Sequence, residues 1–138
     1  MPSGLTQPFN VVLVNRGSWC PFCIAQLEAF QAGLPRLEAE GIGVVAFSAD
    51  PLEKPRGVVA DNHLTFPVGY GASVERTAQL LGTFYDPTPS HTTPYLQSTG
   101  FVLAPGGKVL TSVYSSGAIG RLVWQDVLGM VQYLKSQP

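Results

Sequence analysis

Phe9 to Asn15, FNVVLVN, is a short apolar run rich in valine, and it breaks off in RGSWC. A run of this length bounded by a glycine reads as a strand buried on both faces. From Pro21 the period changes. Ile24, Leu27, Phe30, Leu34 and Leu37 recur at three and four residues, the spacing of one helix face. Proline suits a first helical turn, where its missing N–H would be unpaired anyway. Pro35 is predicted to kink or end the helix, and Gly41 to stop it. IGVVAFSAD, 42–50, is a second buried strand. Strand, helix and strand in succession leave few options: parallel strands joined by a right-handed crossover.

The rest of the chain completes an α/β sandwich. Residues 53–62 read as a short helix or irregular turn, and 66–70 as a short strand. Residues 73–81 read as a helix capped by Ser73 and stopped by Gly82. YDPTPSHTTP, 85–94, reads as a loop. Residues 101–103 and 108–114 flank APGG, a hairpin turn with two glycines. A last helix is predicted over 119–135, with Val123, Val127, Met130, Val131 and Leu134 as its buried stripe. The resulting sheet is mixed, parallel at its start and antiparallel at its end. With 138 residues, the chain is expected to be a single domain, 1–138.

Composition excludes several classes. Hydrophobic residues make up 45% and charged ones 12%, which argues against a disordered chain. A net charge of −1 makes nucleic acid a poor partner. No apolar run of about 18 residues exists to span a membrane. The N-terminal segment lacks the basic start and the apolar length of a signal peptide, so a cytoplasmic location is expected. Structural disulfides are rare there, and a Cys-x-x-Cys pair is then catalytic or metal-binding.

Cys20 and Cys23 are the only cysteines. The reading above places them where the first strand gives way to the first helix, the end of an open α/β sheet where sites collect. A helix N-terminus carries partial positive charge and unpaired N–H groups. Such positions lower a thiol's pKa from about 8.5 to roughly 3.5–7.5. Cys20, at the cap and with a sulfur able to face solvent, is assigned as the attacking sulfur. Cys23, one turn further in and more buried, is the resolving one. Pro21 starts the helix, Trp19 can shield the flank, and Arg16 can add positive charge. A structural zinc would need four ligands. Only His63 and His91 could complete the set, each in a different loop and without ligand spacing, so no metal or other cofactor is expected. Both histidines read as loop residues, Asp50 as a strand end and Trp124 as packing.

VVLVNRGSWCPFCIAQLEAF…GIGVVAFSAD resembles the thioredoxin-like superfamily, and within it the peroxiredoxin-like branch of alkyl hydroperoxide reductase C and thiol-specific antioxidant proteins. The likeness rests on Arg16, Gly17, Trp19, Cys20, Pro21, Cys23, Gln26 and Leu27. It extends more weakly to FSAD and STGFVLAPGGKVL. It implies a three-layer thioredoxin-like sandwich, N-terminally shortened because only eight residues precede Phe9. An edge would then be bare or covered by a partner, for which a homodimer is one arrangement. It also implies an antioxidant oxidoreductase that acts on hydroperoxides or protein disulfides and draws electrons from a thioredoxin or glutathione system.

The chain departs from that pattern in four places. Peroxiredoxins carry a hydroxyl three residues before the attacking cysteine, where this chain has Gly17; the proline's place is Leu13, and Ser18 is one residue off. They carry an arginine near the later strand, where QSTGF supplies none. The buried carboxylate of thioredoxins, six residues before the first cysteine, is replaced by Val14. The residue lying against the dithiol, a cis-proline in thioredoxins, corresponds to Thr99 rather than to Pro94. Dithiol chemistry is thus better supported than peroxide chemistry. Three functions stay open: a peroxiredoxin-like reductase cycling Cys20–Cys23, a disulfide reductase of the thioredoxin or glutaredoxin kind (Cys-Pro-Phe-Cys resembles Cys-Pro-Tyr-Cys), and a non-enzymatic redox sensor on the same fold.

Overall fold

The computed structural model describes residues 7–86 and 94–137. Strand β1 (Phe9–Val14) leads through residues 15–20 into helix α1 (Pro21–Ala39), and β2 (Ile42–Phe47) follows. β1 and β2 pair in parallel, Val12 opposite Val45. Helix α2 (Glu53–Asn62), the short edge strand β3 (Val68–Gly69) and helix α3 (Val74–Leu81) come next. Then come β4 (Tyr85–Asp86), β5 (Tyr95–Leu96), β6 (Thr99–Leu103), β7 (Val109–Tyr114) and α4 (Trp124–Lys135). The main sheet has the order β3-β2-β1-β6-β7. β3 runs parallel to β2, whereas β6 is antiparallel to β1 and β7 to β6. It is the expected mixed sheet, and the fold is thioredoxin-like.

β1 is central because both of its faces are apolar. Side chains alternate across a strand. Val11 and Leu13 join Ile42, Val44 and Val102 under Leu27, Phe30, Leu34 and Leu37 of α1 and Val127 and Val131 of α4. Val12 and Val14 join Val45, Phe101 and Leu96 on the opposite face, against Val74 and Leu81 of α3. Gly33 lets α1 and α4 approach closely, since a Cβ there would lie 2.3 Å from the Trp124 ring. Trp124 is packing, as expected.

Five expectations need correcting. Pro35 does not end α1, which continues to Ala39. Its exposed position loses one backbone bond, and the buried Leu34 and Leu37 beside it hold the helix in register. Ile24, assigned to the buried face of α1, is only half-buried. The last helix starts at Trp124, not Ile119: Gly120 has φ 80°, which a helix does not accommodate. Val123 and Leu134 are exposed rather than part of its stripe. Finally, the start of the Pro-rich stretch forms β4, which pairs with β5 just beyond the stretch, Tyr85 opposite Leu96. His91 and Thr93 lie outside the described residues. Among the described residues no helix is long and apolar enough to cross a membrane.

Candidate active site

The site grows from the β1–α1 connection. β1 delivers Arg16 to the end of the sheet, where the Arg16 N–H donates to Cys23 Sγ at 3.3 Å. The Cys20 N–H closes a turn onto the Gly17 carbonyl at 3.1 Å. Cys20 is the N-cap of α1, extended in backbone (φ −93°, ψ 111°), with Pro21 just inside the helix. Cys20 Sγ accepts the Cys23 N–H at 3.4 Å, as a capping serine oxygen would. The two cysteines are not joined in a disulfide. Both are also buried, Cys20 to 0% exposure, so the expected solvent-facing sulfur is not found. The reason lies in what covers it.

Two guanidinium groups meet at Cys20. Arg16 Nη1 and Arg121 Nη2 each lie 3.6 Å from its sulfur. Arg121 Nη2 also donates to Cys23 Sγ at 3.0 Å. Arg16 stacks on Trp19 and Tyr95, its guanidinium carbon 5.0 and 5.1 Å from the two ring centres. Those rings meet edge to face at 4.9 Å. Arg16 Nε donates to Gln97 Oε1 (3.1 Å) and Nη2 to the Tyr95 hydroxyl (3.2 Å). Arg121 stands on the loop between β7 and α4. Its Nε is held by the Ala118 carbonyl (2.7 Å) and its Nη1 by Gln26 Oε1 (2.9 Å). Gln26 in turn donates to the Leu122 carbonyl at 3.0 Å.

This environment separates the two thiols. Burial opposes ionisation of Cys20, but the Cys23 thiol, the Cys23 N–H, Arg16 and Arg121 outweigh it, and its pKa falls below the ordinary thiol value. Cys23 is pushed up by burial and by the adjacent Cys20 sulfur, with Arg121 and the Arg16 N–H only partly offsetting this. The two environments therefore favour ionisation of Cys20 over ionisation of Cys23.

The other expected residues fall as follows. Trp19 flanks the site, and its ring explains Gly17: a Cβ at 17 would lie 2.3 Å from Trp19 Nε1. A side chain at 17 and this placement of the indole exclude each other. Ser18 contributes its backbone, donating to Asp50 Oδ2 at 2.8 Å. Asp50 thus does more than end a strand, because it anchors the loop that carries Cys20. Thr99 is buried opposite Val14, with its hydroxyl turned to the Gln97 carbonyl at 3.4 Å. Gln97, not Thr99, sends its side chain into the site. Pro94 is exposed, and His63 is an exposed helix-ending residue at φ 53°. Among the described residues no three His, Cys, Asp or Glu side chains cluster as metal ligands.

Arg121, Gln97, Tyr95 and Gln26 were not read as site residues. Gln26 carried a signal, since it lies one helical turn beyond Cys23 on the same face. Arg121 carried another: it is a lone cation in the apolar stretch AIGRLVW. Near it, Phe22, Ala29, Ile119 and Val123 line an apolar groove of about 410 Å³ that Arg121 and Gln26 also border.

A mixed sheet with a Cys-x-x-Cys capping its first helix defines a thioredoxin-like dithiol protein. The family model described as the AhpC/TSA family matches residues 6–111, and the chain belongs to that family. The chain is similar in structure to the peroxidoxin BcpB of Mycobacterium tuberculosis (TM-score 0.79, 17% identity), covering 97% of this chain and 84% of that one. It is also similar to a variant of PrxQ from Xylella fastidiosa (TM-score 0.79, 15% identity; 99% and 83% covered). Peroxiredoxin 6 of Arenicola marina is similar too (TM-score 0.73, 18% identity; 93% of this chain), but the chain spans only 61% of its length. No curated protein matches the chain.

Proposed function

We propose that this protein is a thiol-dependent peroxidase, one thioredoxin-like unit in which Cys20 attacks and Cys23 resolves. The observation that carries the reading is the convergence of Arg16 and Arg121 on the Cys20 sulfur, each at 3.6 Å. Two fixed guanidinium groups stabilise the thiolate. They also offer donors to the negative charge that develops on a peroxide oxygen as its O–O bond breaks. The missing hydroxyl at Gly17 and the missing arginine of QSTGF are thereby offset by donors from other elements. The Cys20 thiolate takes the terminal oxygen of the hydroperoxide, the O–O bond breaks, and the alkoxide leaves protonated as the alcohol. Cys20 becomes a sulfenic acid. Cys23 then displaces water from it to form the Cys20–Cys23 disulfide, which a thioredoxin or glutathione system reduces. The apolar groove beside Arg121 gives an organic hydroperoxide room to bind.

A second reading, disulfide reduction by the same pair, is favoured by Gly17, because thiol–disulfide exchange needs no hydroxyl there. The test is the consumption of hydrogen peroxide and cumene hydroperoxide coupled in turn to thioredoxin and to glutathione, beside reduction of a disulfide substrate. Peroxide turnover lost in Cys20→Ser is expected. Turnover confined to the disulfide substrate would replace the first reading with the second.

A further inference from the structure

Beneath the dithiol lies a cavity of about 10 Å³, room for one water molecule. Its walls include Cys23, Asn15, Ser48 and Asp50, with Leu27 and Val58 closing the apolar side. Asn15 is buried, and its Oδ1 has no hydrogen-bond partner among the described residues. Buried carbonyl oxygens are rarely left so. The Asn15 N–H is bonded to the Phe47 carbonyl at 2.8 Å, which fixes the backbone and commits the side chain to the cavity wall. Ser48 Oγ accepts the Asp50 N–H at 3.2 Å, and its own hydrogen remains to donate. Asn15, Ser48 and Asp50 supply the two to four polar partners that an internal water requires.

We propose that Asp50 receives the proton of Cys23, through one water molecule held by Asn15 and Ser48, when Cys23 attacks the oxidised Cys20 sulfur. The inference rests on the reading of Cys23 as the resolving thiol. The other charged groups at Cys23, Arg16 through its N–H and Arg121 through Nη2, are donors and cannot accept a proton. Cys20 is already oxidised at this step. Among the cavity's lining residues Asp50 is the one carboxylate. The Cys23 proton passes to the water, which passes one of its own to Asp50. The electron pair left on Cys23 forms the S–S bond, the S–O bond of the Cys20 sulfenic acid breaks, and the oxygen leaves as hydroxide. Solvent protonates that hydroxide, and the half-buried Asp50 returns its proton to solvent, so sulfenic acid plus thiol gives disulfide plus water.

The test uses the reduced full chain and the chromogenic disulfide DTNB in stopped flow. The first thionitrobenzoate released reports the adduct on Cys20. The second reports its displacement by Cys23, a step that needs no peroxide. Asp50→Asn keeps an oxygen acceptor for the Ser18 N–H and removes the base. It is expected to leave the first phase within about twofold and to slow the second at least about tenfold at pH 7. The slowed phase should rise with pH as Cys23 ionises unaided, lose its solvent deuterium isotope effect, and recover in Asp50→Glu. A second phase unchanged in rate and pH profile would overturn the relay. Should Asp50→Asn fail to fold, Ser48→Ala removes one water ligand. A severalfold slower second phase supports the relay there, and an unchanged one overturns it. A second phase that persists in Cys23→Ser would overturn both readings. A relay effect in a protein that consumes no peroxide supports this inference and sinks the peroxidase reading alone.

Discussion

Arg16 and Arg121 bring the same charge to the same sulfur by different routes. Arg16 lies four residues before Cys20, on the strand end that leads into the helix. Two aromatic rings and Gln97 hold it, and its side chain reaches only Cys20. Arg121 lies 101 residues beyond Cys20, on a loop placed by the packing of α4 and pinned by Gln26. It reaches both sulfurs. One guanidinium contact to Cys20 is thus built into the same segment of chain, and the other exists only once the last helix has docked. If Cys20 is the attacking thiol, its activation is coupled to completion of the fold.

The largest test removes both arms. In Arg16→Gln/Arg121→Gln, burial is left opposed only by Cys23, and the Cys20 pKa is expected to return to the ordinary thiol value or above it. A hydrogen bond from a charged group contributes about 1.5–3 kcal/mol. Peroxide turnover at pH 7 should therefore fall by about 10²–10⁴-fold. Thiolate absorbance near 240 nm against pH gives the direct measurement. A Cys20 still titrating below the ordinary range would show that the helix N-terminus alone does the activating.

The single variants sharpen the comparison. Arg16→Gln should raise the Cys20 pKa and leave the Arg121 contact to Cys23 in place. Arg121→Gln should raise both thiols, because it loses donors to both sulfurs. About one pH unit, or tenfold in thiolate at fixed pH, is expected for each. Alkylation rates of the remaining thiol, measured in Cys23→Ser and Cys20→Ser backgrounds, separate the two cases. Equal effects on Cys23 would erase the distinction between the arms.

The same alkylation measurements give a pH test of smaller size. The thiolate is the reactive form, so each rate rises with pH through that thiol's pKa. Cys20 in the Cys23→Ser protein should reach half its maximum rate below the ordinary thiol value of about 8.5. Cys23 in the Cys20→Ser protein should do so above it. Coinciding midpoints would show that the two environments are not distinct.

What could be read in the sequence divides along the same line as the two arginines. The β1–α1–β2 unit, the N-cap cysteine, Pro21 and Arg16 lie within local reach, where periodicity and spacing carry the information. The caps at Ser73 and Gly82 and the APGG turn were legible for the same reason. Arg121 was not, because a side chain's approach across the fold leaves no mark in local spacing. The helix predicted from Ile119 also hid it, since that reading placed Arg121 in a first turn. Gln97 was hidden differently. The resemblance pointed to Thr99, the first residue of β6, whose hydroxyl instead donates to the Gln97 carbonyl. Gly17 was read as a departure from the family pattern, whereas its physical cause, the Trp19 ring, needed three-dimensional contact to see.

The smallest effects test how each arginine is held. Gln26 is buried and bonds both the Arg121 guanidinium and the Leu122 carbonyl, so it ties the distant loop to α1. Gln26→Ala removes both bonds, each contributing about 1 kcal/mol. Apart from the two sulfurs, Arg121 then keeps the Ala118 carbonyl, and turnover should fall about three- to tenfold with a modest rise in the Cys20 pKa. Gln97→Ala removes a comparable bond from Arg16, but the Trp19 and Tyr95 rings and the Tyr95 hydroxyl still hold that guanidinium. Such stacking contributes about 0.5–2 kcal/mol, and the loss should be no more than about threefold. The order of the two effects, read as kcat/KM for peroxide, is the informative result. A larger loss in Gln97→Ala would mean that the local arm, not the distant one, is the more loosely held.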